Sequence, residues 1–346
     1  MKTLKEKPFF SIVIPCYNSG KTIGRLLNSI VAQNMSDEIE VILSDDHSTE
    51  SYESAIKPFY DKLCIKRIVT DYNCCPGNTR EKGTTLVEGE WLLFVDHDDI
   101  FLPNTFKKVK KEIINNNETL LAYCNIYRAQ NTTGNFDMKL VERKMCSYTG
   151  LLHGKFFNYE NLWKHYDIHF KKDMFTHEDT YITTVIKCIL QHLDHKPLHI
   201  DEFNYVWFDN KKSLSNSGEN GMRNFLEKYF HYYVEGTSYV YKDFYNKGWI
   251  DDNYTVYYCI RTILYEYFYL QMFLFHNPEN YIKENVLVCK NDLVETKRMF
   301  KLTNLDIFGY CSQNNAKIFS DISIEVGFGY IPNYSLMEWL NTLDKD

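Results

Sequence analysis

Short β-branched runs alternate with amphipathic segments through roughly the first two hundred residues of the chain. Five apolar runs predict strands: Phe9–Pro15, Glu40–Leu43, Ile65–Val69, Trp91–Val95 and Leu120–Ile126. The intervening segments carry apolar residues at helical spacing and predict helices: Lys21–Gln33, Thr79–Val87 and Asn104–Ile114. Buried strands alternating with helices are typical of an α/β fold, in which a mostly parallel sheet is covered by helices on both faces. Ligands of such sheets bind beyond the carboxyl ends of the strands.

The pattern changes after about residue 215. The stretch NSGENG is a polar, glycine-containing break, and beyond it aromatic residues recur at helical spacing. These residues are Met222, Phe225, Leu226, Tyr229, Phe230, Tyr233 and Val234. Two regions are therefore predicted: an α/β domain at 1–215 and a mainly helical, aromatic-rich region at 216–346. The second region is expected to serve packing, oligomerisation or docking of an acceptor.

One segment, Tyr254–Phe275, is long and apolar enough to span a membrane. Arg261, Glu266 and Gln271 interrupt it, and a charge in mid-bilayer costs about 2.5–3.5 kcal/mol. A buried helix of a soluble domain is therefore predicted instead. The basic start MKTLKEKPFF has no apolar core or cleavage site, so no signal peptide is expected.

Composition excludes several function classes. A net charge of −7 argues against a broad nucleic-acid surface, which needs concentrated Lys and Arg. No two of the ten cysteines form a C-x-x-C pair, so the sequence predicts neither a zinc site nor a redox motif. Scattered thiols of this kind predict a reducing, cytoplasmic location.

Acidic residues cluster where apolar segments end or helices begin: Asp45–Asp46, Asp96-His97-Asp98-Asp99, Glu178–Asp179 and Asp209. A single aspartate could be only a helix cap. Several clusters converging on one sheet edge suit Mg²⁺ or Mn²⁺, which usually enters with the phosphates of a substrate. No G-x-x-x-x-G-K-[S/T] is present, and no G-x-G-x-x-G follows the first strand. P-loop and dinucleotide sites are therefore excluded.

Several segments, in order over about the first 215 residues, resemble the inverting glycosyltransferases of family 2, which have the GT-A fold. SIVIPCYNSGKTIGRLLNSIVAQ resembles the opening strand, P-x-Y-N turn and helix of that family. EVILSDDHSTE resembles V-V-D-D-G-S-T-D, and NCCPGNTREKG resembles N-x-G-x-x-x-A-R-N-x-G. LLFVDHDD resembles the D-x-D strand, and WFDNKKSLSNS resembles the final donor-site loop. LLHGKFFNYENLWKHYDIHF, followed by HEDTYI, resembles the segment that leads to the E-D pair.

The resemblance implies one divalent cation, Mn²⁺ or Mg²⁺, that acts as Lewis acid and template for a departing nucleoside diphosphate. Asp96 would face the ribose of the donor, and Asp98 would bind the metal. Asp99 is the alternative metal ligand, because the sequence cannot separate adjacent carboxylates. Asp209 would complete the metal shell or be an ordinary turn aspartate. His97, at the variable middle position, is expected to point away from the metal.

The same resemblance implies a nucleotide pocket lined by Pro15 and Tyr17. Asp46 would bind the base or the ribose, and Arg80 would lie near the base and the phosphates. Glu81 stands where the family usually has asparagine, which leaves the finer contacts of that loop open.

FTHEDTYITTVIKCIL predicts a helix that Thr176 can cap, with Glu178 and Asp179 in its first turn. The helix dipole favours ionised carboxylates there. By resemblance Asp179 is the general base and Glu178 contacts the acceptor. The alternative is that both are helix-start acids with no further role.

The sequence therefore predicts a cytoplasmic, metal-dependent glycosyltransferase. It would move a sugar from a nucleotide-sugar donor, expected to be a UDP-sugar, to a cell-surface glycan or its lipid-linked precursor. No nucleic-acid partner is predicted. The predicted enzyme could form homo-oligomers and could lie peripherally at the inner face of the membrane. One alternative is a sugar-1-phosphate nucleotidyltransferase, whose G-x-G-T-R-type loop PCYNSGKTIG does not supply. Another is a non-catalytic glycan-binding protein, which would leave the acidic clusters without a purpose.

Overall fold

The computed structural model describes residues 2–131, 138–144, 146, 148, 150–209, 231–262, 283–313 and 341. The chain divides into two compact units, Met1–Glu219 and Asn220–Asp346.

The first unit is built on a mixed sheet, which has nine strands within the described residues. The strands are β1 Phe10–Cys16, β2 Ile39–Asp45, β3 Cys64–Val69, β4 Trp91–Phe94, β5 Ile100–Phe101, β6 Leu121–Asn131, β7 Met138–Lys144, β8 Lys155–Asn158 and β9 Leu198–Asp209. Its α-helices are α1 Ile23–Val31, α2 Glu53–Ile56, α3 Pro76–Thr84, α4 Thr105–Asn115 and α5 Glu178–His192. The spatial order of the strands is β3-β2-β1-β4-β8-β6-β9-β5, and β7 pairs with β6.

The strands β3, β2, β1 and β4 pair in parallel, as the alternation of strands and helices predicts. Beyond β4 the sheet is mixed. Strand β8 lies between β4 and β6 and pairs antiparallel with both, whereas β6 and β9 pair in parallel. Because β8 has only four residues, its apolar run is too short to be distinguished from a loop by periodicity.

The carboxyl ends of the central strands meet at one edge of the sheet. Cys16 at the end of β1 is in register with Asp45 at the end of β2, and Val13 is in register with Phe94 at the end of β4. The residues that follow these strands therefore emerge side by side, and they include Tyr17, Asp46 and Asp96.

Helix α3 packs unusually closely on this sheet, and Gly83 permits the approach. A Cβ atom at Gly83 would lie 2.5 Å from Cγ1 of Val13 on β1 and 3.2 Å from Cβ of Ser44 on β2. The Ser44 hydroxyl also donates to the carbonyl of Thr79, at 2.6 Å. The close packing fixes the position of Arg80, which lies between these two anchor points on the helix.

The secondary-structure elements that the structure describes in the second unit are helices. Its helices are α6 His231–Gly236, α7 Ser238–Asn246, α8 at 252–262, α9 Lys283–Phe300 and α10 Asn304–Gln313. A buried ion pair joins α7 and α9, with Lys242 Nζ at 2.6 Å from Asp292 Oδ1. Most of the aromatic stripe predicted after residue 221, and 263–275 of the apolar segment, lie outside the described residues. Among the helices that the structure does describe, none is long and apolar enough to cross a membrane.

Candidate active site

Arg80 lies between two of the predicted acidic clusters. Its Nη2 is 2.8 Å from Oδ1 of Asp96, and its Nη1 is 2.6 Å from Oε1 of Glu178. The guanidinium is buried, so both contacts form where water screens them little. Both terminal nitrogens of Arg80 are thus engaged by protein carboxylates, and the nucleotide contact implied by the family resemblance stays a prediction.

The Asp96 carboxylate is held from both sides. Opposite Arg80, the Nε2 atom of His153 lies 3.0 Å from Oδ2 of Asp96. Burial alone would raise the pKa of the Asp96 carboxyl, but His153 and Arg80 outweigh burial and hold that pKa well below its usual range. Asp96 therefore carries its negative charge across the working range of pH.

Asp99 is completely buried and ties its loop to strand β9. The Tyr205 hydroxyl donates to Oδ2 of Asp99, and the Phe208 backbone N–H donates to Oδ1 at 2.9 Å. Burial raises the pKa of Asp99 well above its usual range, a shift that His153 opposes and Asp98 increases. Both carboxylate oxygens are used inside the protein.

Asp98 and His97 lie beside Asp99 but are placed differently. The backbone carbonyl of Asp98 accepts a hydrogen bond from Arg25, and its side chain is half-buried. His97 Nδ1 lies 2.8 Å from the Thr22 hydroxyl, so this imidazole nitrogen is engaged by helix-entry residues.

The donor groups at this edge fit a divalent cation. One carboxylate oxygen of Asp96, one of Asp99 and one imidazole nitrogen of His153 all lie within 4.8 Å of one another. Carboxylate oxygens are the ligands that Mg²⁺ and Mn²⁺ prefer. Among the described residues, no other group of three or more such side chains comes as close. The backbone of Asp209 ends β9, and its side chain lies outside the described residues.

The predicted nucleotide pocket surrounds Asp46, which is buried. The Cys74 N–H donates to Oδ1 of Asp46 at 2.8 Å, and the Asn73 amide donates to Oδ2 at 3.1 Å. These bonds fix the loop before α3 against the end of β2. Pro15 is half-buried, and Tyr17 is 44 % exposed at the end of β1.

Helix α5 begins at Glu178 and places Asp179 in its first turn. The predicted cap at Thr176 is wrong: the N-cap residue is His177, in a left-handed conformation at φ 60°, and no side chain caps the helix. The Thr176 hydroxyl instead lies 3.0 Å from Nδ1 of His177. Glu178 is buried, whereas Asp179 is half-buried and accepts from the Thr180 N–H at 2.7 Å.

Burial raises the pKa of Glu178 to about 7, a shift that Arg80 opposes and Asp179 increases. Two carboxylates at one helix start thus have different surroundings, since Glu178 is buried and paired with arginine, whereas Asp179 is half-buried.

Glu81 connects α3 to the segment that leads to α5. It accepts from the Phe170 N–H at 2.9 Å, and its other carboxylate oxygen lies 2.6 Å from Nδ1 of His169. The replacement of the family's usual asparagine thus has a structural partner outside the predicted nucleotide pocket.

Sequence reasoning missed His153, Tyr205 and Phe208. A lone histidine or tyrosine in an apolar stretch carries no spacing signal, because its partner lies many residues away. A pairing of β9 with the loop after β4 would have been needed to find them.

Comparisons with known proteins agree with this architecture. The profile of glycosyl transferase family 2 matches residues 11–176. Over 100 residues the chain is 38% identical to the poly(ribitol-phosphate) β-N-acetylglucosaminyltransferase TarS of Staphylococcus aureus, a match that covers 28% of this chain and 18% of TarS. Over 94 residues it is 38% identical to the poly(ribitol-phosphate) β-glucosyltransferase of Bacillus spizizenii, which covers 26% of this chain and 14% of that enzyme. The matches thus span less than a fifth of each relative.

Two solved structures share the fold. Residues 1–349 of S. aureus TarS in complex with UDP-GlcNAc superpose with a TM-score of 0.58 at 18% identity, covering 93% of both chains. The Pyrobaculum calidifontis mannosyltransferase PcManGT, in complex with GDP-Man and Mn²⁺, superposes with a TM-score of 0.52 at 12% identity, covering 98% of this chain and 86% of the other. The predicted GT-A fold, with a sheet flanked by helices, is confirmed.

Proposed function

We propose that the chain, whose residues 11–176 match glycosyl transferase family 2, is a metal-dependent inverting glycosyltransferase of that family. It moves a sugar from a nucleotide-sugar donor to a cell-surface glycan or its lipid-linked precursor. The observation that carries the proposal is the shared guanidinium of Arg80, which brings the D-x-D aspartate Asp96 and the E-D glutamate Glu178 to one place.

The proposed reaction is a single displacement with Asp179 as general base. Asp179 lies in the first turn of α5, where the helix dipole favours its negative charge. Its carboxylate takes the proton of an acceptor hydroxyl while the hydroxyl oxygen bonds to the anomeric carbon. The bond from that carbon to the phosphate oxygen breaks on the opposite face, and the nucleoside diphosphate leaves. One displacement inverts the anomeric configuration.

The metal is assigned to the sheet edge that follows β4, beside Asp96. A divalent cation bound there would act as a Lewis acid and neutralise charge on the diphosphate leaving group. We assign Asp98 rather than Asp99 as its aspartate ligand, because both oxygens of Asp99 already accept hydrogen bonds inside the protein. Asp209 at the end of β9 completes the shell in this assignment. Mn²⁺ is the first candidate, since a structural neighbour was solved with it.

The donor is assigned as a UDP-sugar, and UDP-GlcNAc and UDP-glucose are the first candidates. Support comes from the UDP-GlcNAc complex of TarS and from the names of the two curated relatives. Pro15, Tyr17 and Asp46 line the nucleotide pocket in this proposal. The names of the same relatives suggest a polyol-phosphate polymer such as poly(ribitol-phosphate) as the acceptor class.

A cytoplasmic site of action, peripheral to the inner face of the membrane, completes the proposal. The cysteines that the structure describes are free thiols, as a reducing compartment requires.

A thermal-shift scan of nucleotide sugars tests the proposal. UDP-GlcNAc or UDP-glucose is expected to raise the Tm in the presence of Mn²⁺ and much less in EDTA, because a ligand stabilises only the state that binds it. Stabilisation by a nucleoside triphosphate together with a sugar 1-phosphate, with release of pyrophosphate, would instead favour a nucleotidyltransferase. No stabilisation by any nucleotide sugar would contradict the proposed donor class.

A further inference from the structure

The tripeptide His153-Gly154-Lys155 leads into β8, the short strand inserted between β4 and β6. It lies in the segment that resembles the family's approach to the E-D pair, but the resemblance assigns no role to these three residues. Gly154 has φ +68°, and a Cβ atom there would lie 3.2 Å from the carbonyl oxygen of Cys124. A side chain at Gly154 would therefore be strained, and the Cys124 N–H donates to the Gly154 carbonyl at 2.9 Å, which holds the backbone next to His153 in place.

The imidazole of His153 is buried between two aspartates and a tyrosine. Its Nε2 is 3.0 Å from Oδ2 of Asp96 and 3.9 Å from Oδ2 of Asp99. Its ring stacks on Tyr205 with centroids 5.5 Å apart and an interplanar angle of 22°. Nδ1 is buried and has no hydrogen-bond partner within the described residues. The ring therefore directs its hydrogen bond at Asp96, the first aspartate of the D-x-D motif.

We infer that His153 is a positioning residue that fixes the carboxylate plane of Asp96 for binding of the nucleotide-sugar donor. This inference rests on the proposed function. Arg80 grips Oδ1 of Asp96, and His153 grips Oδ2. With one donor on each oxygen, the carboxylate cannot rotate without breaking a charge-assisted hydrogen bond.

Arg80 alone would hold Asp96 at one oxygen only, because the other terminal nitrogen of the guanidinium is paired with Glu178 at 2.6 Å. If His153 were removed, Asp96 could pivot about its contact with Arg80 and move away from the donor. Loss of residues that orient a ligating carboxylate commonly costs about 10–100-fold in affinity or activity.

Two substitutions separate positioning from packing. His153→Phe keeps a ring that can stack on Tyr205 but removes the hydrogen bond to Asp96. His153→Gln restores an N–H near the position of Nε2. His199→Phe is the matched control, since His199 also stacks on a tyrosine, Tyr123, at 4.7 Å but lies at the start of β9.

Titration calorimetry with UDP-GlcNAc and UDP-glucose in saturating Mn²⁺ measures the effect. His153→Phe is expected to weaken binding of the donor about 10–100-fold. His153→Gln should recover most of that loss, and His199→Phe should bind like the wild type. In the background of Asp96→Asn, His153→Phe should cause no further loss, because the residue acts through Asp96.

Other outcomes would overturn the inference. If His153→Phe binds the donor within twofold of a wild type that binds it well, the residue only packs the core. Two results together would make His153 a metal ligand instead. His153→Phe and His153→Gln would lose equal donor affinity, and the electron paramagnetic resonance spectrum of Mn²⁺ bound to the wild type would show coupling to an imidazole nitrogen. A wild type that binds no nucleotide sugar would overturn the proposed function itself.

Discussion

Asp96 and Glu178 share one guanidinium: Arg80 lies 2.8 Å from the first carboxylate and 2.6 Å from the second. Asp96 follows strand β4, and Glu178 opens helix α5. The arginine therefore joins the predicted donor motif to the helix that carries the predicted base. Because Arg80 and Glu178 are buried, water screens their charges little, and the arginine compensates the negative charge of both carboxylates.

Replacing Arg80 should separate the two halves of the site. Arg80→Lys keeps the charge but offers a single ammonium, which cannot contact both carboxylates as the two terminal nitrogens of arginine do. For Arg80→Lys we expect kcat/KM to fall about 10–100-fold. Arg80→Met leaves the carboxylates unpaired, so it should lower the free energy of unfolding by about 3–5 kcal/mol. Arg67→Lys is the control, since its ion pair with Glu53 is exposed, and it should change neither quantity measurably. Wild-type turnover in Arg80→Lys would show that the bridge is not needed for catalysis.

Asp98 and Asp99 should respond differently to the same substitution. Asp98→Asn is expected to abolish the Mn²⁺ dependence of donor binding with little change in Tm. Asp99→Asn should lower the stability by about 1–3 kcal/mol, because an amide can accept only one of the two hydrogen bonds from Tyr205 and Phe208. Calorimetry of donor binding and thermal unfolding of both variants measures this. The reverse pattern would make Asp99 the metal ligand.

Glu178 should impose a pH dependence that Glu178→Gln lacks. With a pKa of about 7, Glu178 gains a proton as the pH falls through 7, which weakens its ion pair with Arg80. Transfer by the wild type is therefore expected to rise with pH up to about 7 and then level off. The folded protein also retains this proton where the unfolded chain, with a carboxyl pKa of 4.5, has lost it. The stability contributed by Glu178 thus declines between pH 4.5 and 7. A limb at pH 7 that persists in Glu178→Gln would assign it to another group.

Lys155 should destabilise the protein at neutral pH. It is almost fully buried, its ammonium donates to the carbonyl of Leu151, and burial lowers its pKa to about 8. Between pH 8 and 10.5 the unfolded chain binds more protons than the folded protein, so the cost of this residue falls as the pH rises. Lys155→Met should therefore raise the Tm at pH 7, by about 2–4 °C for each kcal/mol gained.

The pH series separates burial of a charge from other effects of that substitution. The gain of Lys155→Met over the wild type should shrink between pH 8 and 10.5. Lys164→Met, at an exposed lysine paired with Glu160, should show no such trend. A gain that does not depend on pH would contradict this account of Lys155.

Local pattern was enough to predict the strands β1 to β4 and the acidic residues at the ends of β2 and β4. Each of those strands is one apolar run, and each of those acids follows such a run directly along the chain. The insertion of β8 and the contact of Asp99 with Tyr205 depend instead on pairing between distant segments, which periodicity does not encode. The cap of α5 was missed for a different reason. His177, the residue before the helix, adopts a left-handed backbone conformation and makes no side-chain capping hydrogen bond.

Glu81, which stands where the family usually has asparagine, also has contacts that the sequence pattern does not predict. Its departure from the family pattern was visible in the sequence, but its partners His169 and Phe170 were not. Such contacts are specified by how α3 docks on the segment before α5, and only the folded chain reveals them.

The most direct test of the central claim compares donor affinity with turnover in Asp179→Asn. This substitution keeps the shape of the side chain and removes only the proton acceptor. Affinity for the UDP-sugar and Mn²⁺ should stay near that of the wild type, while transfer falls by about 10²–10⁴, the usual contribution of a positioned general base. The wild-type product should carry the inverted anomeric configuration. Unchanged turnover in Asp179→Asn, or a product that retains configuration, would contradict the account.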